Sequence, residues 1–246
     1  MWNRSYVDKI IERTAKRLIK LDKRMSEVRP GRQMPEETQV TIGSGRQMEI
    51  AVLFLDICNY SRLYNDSYEA QGNVLALMNI FMAEMMNIVR DHKGEFEKNT
   101  GDGLMAYFGT ETTNPKECVQ TAIEASLTMH YFNDNLLKPY LINQGSPMRI
   151  DFRIGIDYGK VTIARVGVPG GLSSFVAIGT SANIASKLIR IGHPGEIVIG
   201  GHVKIHLPVS WQKFCELVPQ FTGFNYIVSG WPYLAYKYNG RWTRPS

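Results

Sequence analysis

Two aspartates, Asp56 and Asp102, stand at positions where a carboxylate needs an explanation. Asp56 directly follows the apolar run 51–55 (AVLFL), which predicts a buried central strand, and an unpaired carboxylate beside such a strand is costly. Asp102 lies between two glycines, at the tip of a hairpin predicted over residues 95–108. Side by side, two carboxylates with few other protein ligands suit Mg²⁺ or Mn²⁺, and two such ions per site can promote phosphoryl transfer. Read singly, Asp56 could be a helix cap or turn residue, and Asp102 an ordinary hairpin residue.

The predicted order of elements brings these aspartates together. Apolar runs and helical periodicity predict a strand, a long helix, a hairpin, a second helix and another strand. Their bounds are 48–55, 69–92, 95–108, 115–137 and 148–157. This is the βαββαβ order of a ferredoxin-like fold, an α/β (α+β) class with antiparallel strands in its central sheet and helices packed on one face. The first strand and the hairpin are neighbours in such a sheet, so we expect Asp56 and Asp102 to lie side by side.

A helix predicted over residues 180–191 carries a second candidate group. Asn183, Lys187 and Arg190 are spaced by four and then three residues, so they share one face of this helix. Taken alone, that face is better explained as an ordinary solvated surface. The remaining predicted strands are 160–166 (after a break at Tyr158-Gly159), 175–178, 196–199 and 233–238.

Charge and composition narrow the class of protein. The 246 residues are 44% hydrophobic and 21% charged, which is typical of a soluble globular chain. Residues 1–33 hold ten basic and four acidic side chains and are predicted to form a basic amphipathic helix, whereas the rest of the chain has a net charge of −1. That helix could dock on the body of the protein or on a second copy, or it could bind a membrane surface or an acidic partner. A linker is predicted over 34–47 and a globular domain over 48–246.

Other features bear on compartment and partners. Three widely spaced cysteines suggest a reducing, cytoplasmic setting. No uncharged apolar run reaches the roughly 18 residues that span a bilayer, so no transmembrane segment is predicted. The basic residues lack interleaved aromatics or a groove-reading motif, which argues against nucleic acid as a partner.

Four motifs that occur in order resemble those of class III nucleotidyl cyclases. Together they cover about residues 48–200, most of the chain. They are Phe54-Leu55-Asp56-Ile57 with Tyr60-Ser61, Lys98-Asn99-Thr100-Gly101-Asp102, Arg153-Ile154-Gly155-Ile156 with Gly159, and Ile178-Gly179 with Asn183-Ile184-Ala185-Ser186-Lys187-Leu188.

The resemblance implies an activity and a site. This family converts a nucleoside triphosphate to a 3′,5′-cyclic nucleotide and pyrophosphate, and its sites form between two copies, so a homodimer with two shared active sites is expected. By resemblance, Asp56 and Asp102 hold the two ions, with the backbone carbonyl of Ile57 assisting. The turn that follows, which contains Cys58, Asn59 and Tyr60, is expected to offer backbone N–H groups to the triphosphate.

The resemblance also assigns a role to the shared helix face. Asn183 is expected to orient the ribose. Lys187 stands where the family usually has arginine; a lysine keeps the charge but loses the planar fork that can hold two phosphate oxygens. Either Lys187 acts as a point charge in the transition state, or Arg190 one turn later takes that role.

The residues that would read the base depart from the family pattern. Lys98, which can only donate hydrogen bonds, is expected to face the base together with Val176 and Ile178. Val176 stands where adenylate-forming members typically carry Asp or Thr, and it offers no acceptor for an exocyclic amine. Uracil, with two carbonyl acceptors, suits this set best, so UTP is the expected substrate, ahead of ATP and then CTP or GTP.

This pattern is similar to that of the bacterial pyrimidine cyclases of anti-phage defence, which make cyclic UMP or cyclic CMP. Adenylate cyclase and cytidylate cyclase activities are the enzymatic alternatives. A catalytically silent nucleotide-binding domain that regulates a partner is the non-enzymatic one.

Overall fold

A computed structural model describes residues 29–30, 41–63, 67–99, 101–112, 114–168, 172–219 and 222–243. The helix predicted for the first 33 residues falls almost entirely outside these ranges, and the predicted domain bounds stay predictions. The chain divides into two compact units. The larger contains Glu49–Val161 and Gly179–Ser246, and the smaller contains Met1–Met48 and Thr162–Ile178.

Nine strands and six helices are present in the described residues. The strands are β1 (Arg29–Pro30), β2 (Gly45–Ile57), β3 (Gly94–Asn99), β4 (Gly103–Phe108), β5 (Phe152–Val168), β6 (Leu172–Ile178), β7 (Ile197–Gly200), β8 (Cys215–Val218) and β9 (Ala235–Tyr238). The helices are α1 (Tyr68–Asp91), α2 (Pro115–Phe132), α3 (Lys138–Asn143), α4 (Thr180–Ile191), α5 (Gly201–His206) and α6 (Val209–Gln212). A π-helical turn at Asn133–Leu137 joins α2 to α3.

The larger unit contains the predicted βαββαβ core. The strands follow the order β3-β4-β2-β5-β7-β9-β8, in which β2 pairs antiparallel with β4 and β5 pairs parallel with β7. The strand, helix, hairpin, helix and strand of the prediction are β2, α1, β3–β4, α2 and β5. The ferredoxin-like order read from the sequence is therefore confirmed.

A capping residue marks the start of helix α1, and buried apolar residues place this helix against the core. The Ser67 side chain accepts a hydrogen bond from the backbone N–H of Ala70 at the start of α1. The segment Ala70–Asp91 is long and apolar enough to cross a membrane by length and composition, but Phe81 and Met85 on it are fully buried in the main core. This core also contains the inward-facing residues of β2.

Helix α4 packs on the other face of the sheet. On β7, Ile197 and Ile199 belong to the main core, whereas Val198 packs in a second cluster with Ile184 and Leu188 of α4. Because neighbouring residues of a strand point to opposite faces, α4 lies across the sheet from α1 and α2. The expectation of helices on a single face holds for the βαββαβ unit and fails for α4, which follows it.

The structure corrects the predicted break at Tyr158-Gly159. Instead of two strands at 148–157 and 160–166, β5 runs without interruption from Phe152 to Val168. Tyr158 is buried in the main core, and a glycine is needed at 159 because a Cβ there would collide with the Ser181 hydroxyl of α4. The glycine serves close packing rather than a turn. The sequence also failed to predict β8 and the short helices α5 and α6.

The smaller unit is built from strand ends. Its part of β5 pairs antiparallel with β6, from Thr162 opposite Ile178 to Val168 opposite Leu172. β1 pairs parallel with the start of β2. Strand β2 begins at Gly45, three residues before the predicted start and within the predicted linker, and a Cβ on Gly45 would collide with the Ile163 backbone carbonyl.

Candidate active site

The two aspartates lie next to each other at the ends of neighbouring strands. Asp56 pairs with Gly103 across the β2–β4 ladder, and the Ile57 N–H donates a 2.8 Å hydrogen bond to the Asp102 carbonyl. Both aspartates are half-buried, so their carboxylates remain reachable from solvent. The backbone register therefore fixes Asp56 and Asp102 side by side, as the order of elements predicted.

Arg153 on β5 pairs with Asp56. Its Nη2 and Nε lie 2.9 and 3.0 Å from Asp56 Oδ2, and its Nη1 donates to the Gly192 carbonyl at 3.2 Å. Oδ1 of Asp56 takes no part in this ion pair. Sequence analysis included Arg153 in a motif but gave it no role in the site. The missing signal was spatial, because 97 residues separate the partners along the chain.

The chemistry of this donor set fits Mg²⁺ or Mn²⁺. Asp56, Asp102 and the Ile57 carbonyl are all oxygen donors, which hard divalent ions prefer. Within the described ranges, no group of three or more His, Cys, Asp or Glu side chains could hold a metal ion. Two carboxylates and one backbone carbonyl would leave coordination positions for water and triphosphate oxygens.

The turn after β2 corrects part of the expected triphosphate site. The N–H groups of Ile57 and Cys58 already donate to the Asp102 and Asp151 carbonyls, at 2.8 and 2.7 Å. Asn59 then adopts a left-handed backbone conformation (φ 55°) and starts the 3₁₀ turn Tyr60–Arg62. The N–H of Cys58 is therefore already engaged, and triphosphate binding by the later residues of this turn stays a prediction. Burial raises the pKa of the Cys58 thiol.

Lys98 lies at a β-bulge that the sequence did not reveal. Phe96 pairs with Ala106 and Lys98 with Met105, so Glu97 is an extra residue in β3. The Glu97 side chain is 2% exposed, and its Oε1 lies 3.1 Å from the Lys98 ammonium, which is half-exposed. Regular alternation would have put the two side chains on opposite faces; the bulge lets them meet. Burial raises the pKa of Tyr107, and the neighbouring Glu97 carboxylate acts in the same direction.

Asn183, Lys187 and Arg190 are all exposed, while Ile184, Ala185 and Leu188 between them are buried. The shared helix face predicted from their spacing is therefore confirmed. It belongs to the larger unit, as do both aspartates and Lys98.

Alternate residues of β5 set the position of α4. A Cβ at Gly155 would collide with the Ala185 carbonyl, and one at Gly159 with the Ser181 hydroxyl, so these glycines let the helix approach the strand. Arg153 reaches the carbonyl of Gly192 just beyond the last turn of α4. The strand that carries the partner of Asp56 thus also positions the helix that carries Lys187.

Asp157 completes this row at the first turn of α4. It is fully buried and accepts a 2.7 Å hydrogen bond from the Tyr233 hydroxyl. Burial raises its pKa to about 8. Hydrogen bonds from Tyr233, the Tyr158 backbone and Ser181 act in the opposite direction and lower it. Sequence analysis overlooked Asp157, although an aspartate that closely follows Ile154 and Ile156 in a predicted strand was a visible signal.

Val176 and Ile178 lie on β6 in the smaller unit. Val176 pairs with Ala164 and Ile178 with Thr162. Ile178 is 57% exposed. Their expected role beside Lys98 stays a prediction.

Comparisons with known proteins identify the class. Residues 42–218 match the model of the adenylate and guanylate cyclase catalytic domain. The chain belongs to this family. Two curated relatives are cytidylate cyclases: one from Staphylococcus aureus is 27% identical over 65% of this chain, and one from Escherichia coli is 26% identical over 68%. This chain covers 38% and 37% of their respective lengths.

A solved structure supports the fold independently. The adenylyl cyclase CyaB of P. aeruginosa matches with a TM-score of 0.66 at 23% identity, covering 78% of this chain and 94% of that one. The fold of the described residues is therefore that of a class III nucleotidyl cyclase catalytic domain.

Proposed function

We propose that this protein is a uridylate cyclase, which converts UTP to 3′,5′-cyclic UMP and pyrophosphate. The observation that carries a cyclase activity is the pair Asp56 and Asp102, fixed side by side by the β2–β4 register at the end of the central sheet. Two reachable carboxylates with few other protein ligands suit the chemistry of a triphosphate.

The chain's own residues would each have one task. Asp56, Asp102 and the Ile57 carbonyl would hold the divalent ions, whose chemistry is to favour ionisation of the ribose 3′-hydroxyl and to offset triphosphate charge. Asn183 would hold the ribose so that the 3′-oxygen faces the α-phosphorus in line with the leaving oxygen. Lys187 would donate to phosphate oxygens that gain charge as the bond to pyrophosphate breaks.

We propose a homodimer in which each site takes its aspartates from one copy and the exposed face of α4 from the other. Exposure of Asn183, Lys187 and Arg190 supports this, because a helix face that must meet a second chain has to be accessible in the single chain.

Mixing two inactive variants tests the shared site. Asp102→Asn and Asn183→Ala should each abolish turnover alone. After exchange of subunits, half of the dimers are mixed and hold one intact site of two, so about a quarter of the wild-type rate should return. No recovery in a sample proven to contain mixed dimers would contradict sites shared between copies.

The choice of UTP rests on hydrogen-bonding chemistry. The Lys98 ammonium can only donate, and its contact with Glu97 restrains its position. Val176 supplies no acceptor through its side chain. A base edge rich in carbonyl acceptors, as in uracil, therefore matches this set better than one that presents an amine.

Cytidylate cyclase is the second candidate, and the two cytidylate cyclase relatives favour it. The two candidates separate in a competition assay with equal concentrations of UTP and CTP. A cyclic UMP excess of tenfold or more supports UTP, and a cyclic CMP excess supports CTP.

We also propose a role as a cytoplasmic source of a second messenger in bacterial anti-phage defence, on the similarity to pyrimidine cyclases. Cells that carry the wild-type protein should survive phage challenge as a culture better than cells carrying Asp56→Ala. Equal survival would contradict this role without touching the enzymatic proposal.

A further inference from the structure

Lys187 does not extend freely into solvent. Its ammonium nitrogen lies 4.2 Å from the centre of the Phe224 ring, inside the range of a cation–π interaction. Lys187 is nevertheless exposed, so the ammonium keeps a side open to an incoming anion. The neighbouring Gly223 leaves room for the ammonium, because a Cβ at that position would lie 3.4 Å from the same nitrogen.

Phe224 is itself held firmly against the helix that carries Lys187. Its carbonyl accepts a 2.8 Å hydrogen bond from the Tyr233 N–H, and the buried Thr222 hydroxyl donates to the Tyr233 carbonyl at 2.9 Å. Its ring packs against the cluster that contains Ile184 and Leu188, which flank Lys187 on α4. These contacts fix the place of the ring next to the lysine.

A fixed aromatic surface addresses a weakness of lysine at this position. A lysine has a long flexible stem and no planar fork, so ordering its ammonium in a transition state costs side-chain entropy. A ring that already restricts the ammonium lowers that cost before substrate arrives.

We propose that Phe224 is a positioning residue for the cyclase reaction, which acts through Lys187 by holding its ammonium ready for the phosphate oxygens. This inference rests on the proposed function. It assigns the transition-state charge to Lys187 rather than to Arg190, and it gives the loop before β9 a part in catalysis.

The test is a comparison of variants in the full chain. Phe224→Leu keeps apolar bulk but removes the ring, and it should lower kcat about tenfold while the KM for UTP changes less than twofold. Phe224→Trp, which restores a ring, should keep most of the wild-type kcat. In a Lys187→Met background, Phe224→Leu should cause no further loss, because its effect passes through the lysine.

The chain provides a matched control. Lys204 lies 4.0 Å from the centre of the Tyr236 ring, a similar pair that has no place in the proposed site. Tyr236→Leu should leave kcat unchanged, and thermal unfolding of every variant checks that the fold persists.

Three outcomes decide the inference. An unchanged kcat in Phe224→Leu would overturn the role of Phe224 and leave the cyclase assignment standing. The same would follow if Phe224→Leu lowered kcat by an equal factor in the wild-type and Lys187→Met backgrounds. Absence of product from every nucleoside triphosphate with the wild-type protein would overturn both. Loss confined to kcat, rescued by Trp and dependent on Lys187, is the result we expect.

Discussion

The Arg153 guanidinium contacts one carboxylate oxygen of Asp56 twice, through Nη2 at 2.9 Å and Nε at 3.0 Å. The same side chain donates to the Gly192 carbonyl after α4. One residue thus joins a proposed metal ligand to the end of the helix that carries Lys187. Both side chains of the pair are partly exposed, at 29% and 25%, so the pair is accessible to ions from solvent.

Arg153 should oppose metal binding at Asp56 in the absence of nucleotide. Arg153→Gln removes a positive charge beside the carboxylate, so the affinity for Mn²⁺ should rise several-fold, as measured by electron paramagnetic resonance of free Mn²⁺. Arg149→Gln is the control, because the Arg149 guanidinium contacts the carbonyls of Ser146 and Met148. An affinity that stays equal in all three proteins would show that Asp56 does not bind the ion.

The two cations of α4 should contribute unequally. Lys187→Met should lower kcat by roughly 10²- to 10³-fold, the usual effect of removing a group that stabilises transition-state charge. Arg190→Gln should change kcat only a few-fold. Steady-state kinetics with UTP measures both variants, and the reverse ranking would transfer the role to Arg190.

The buried carboxyl of Asp157 should make stability fall as pH rises. Its pKa is about 8 in the folded protein and near the ordinary 3.8 when unfolded. Between these values the folded protein keeps a proton that the unfolded chain loses, so the free energy of unfolding decreases with pH and levels off above about 8. Asn at this position cannot titrate. The free energy of unfolding of Asp157→Asn should therefore rise relative to that of the wild type between pH 5 and pH 8.

Urea unfolding at several pH values measures this difference, in which the contributions of other titrating groups largely cancel. A difference between the two proteins that does not change with pH would mean that Asp157 is ionised in the folded state.

The close packing of α4 on β5 should be sensitive to one methyl group. Gly155→Ala introduces a Cβ that collides with the Ala185 carbonyl, and it should destabilise the fold by about 2–3 kcal/mol and lower kcat. Gly72→Ala is a matched substitution in α1 where nothing lies within 4 Å of the new Cβ. There, alanine should stabilise the helix by about 0.5–1 kcal/mol. Denaturant unfolding measures the change in the free energy of unfolding for each variant. Equal changes in the two variants would contradict the close packing of α4 on β5.

The sequence predicted those parts of the site that follow from local pattern. The order of apolar strands and periodic helices placed Asp56 beside Asp102, and helical spacing put Asn183, Lys187 and Arg190 on one face. It missed features that depend on tertiary contact. Gly159 looked like a turn residue because the helix that needs its missing side chain is remote in sequence.

Pairs of residues were missed for the same kind of reason. The contact of Glu97 with Lys98 requires a bulge, which changes the alternation of side chains without any local signal. The Arg153–Asp56 and Lys187–Phe224 contacts join residues far apart in the chain, so only the packed structure reveals them.

Product formation from each nucleoside triphosphate tests the proposed activity most directly. Purified wild-type protein and Asp56→Ala would each be incubated with UTP, CTP, ATP or GTP and Mg²⁺ or Mn²⁺, with pyrophosphate and cyclic nucleotide measured together. We expect equal amounts of cyclic UMP and pyrophosphate from UTP with the wild-type protein, and no turnover with a folded Asp56→Ala variant. Product from ATP alone would contradict the pyrimidine assignment, and wild-type rates in Asp56→Ala would contradict the metal site.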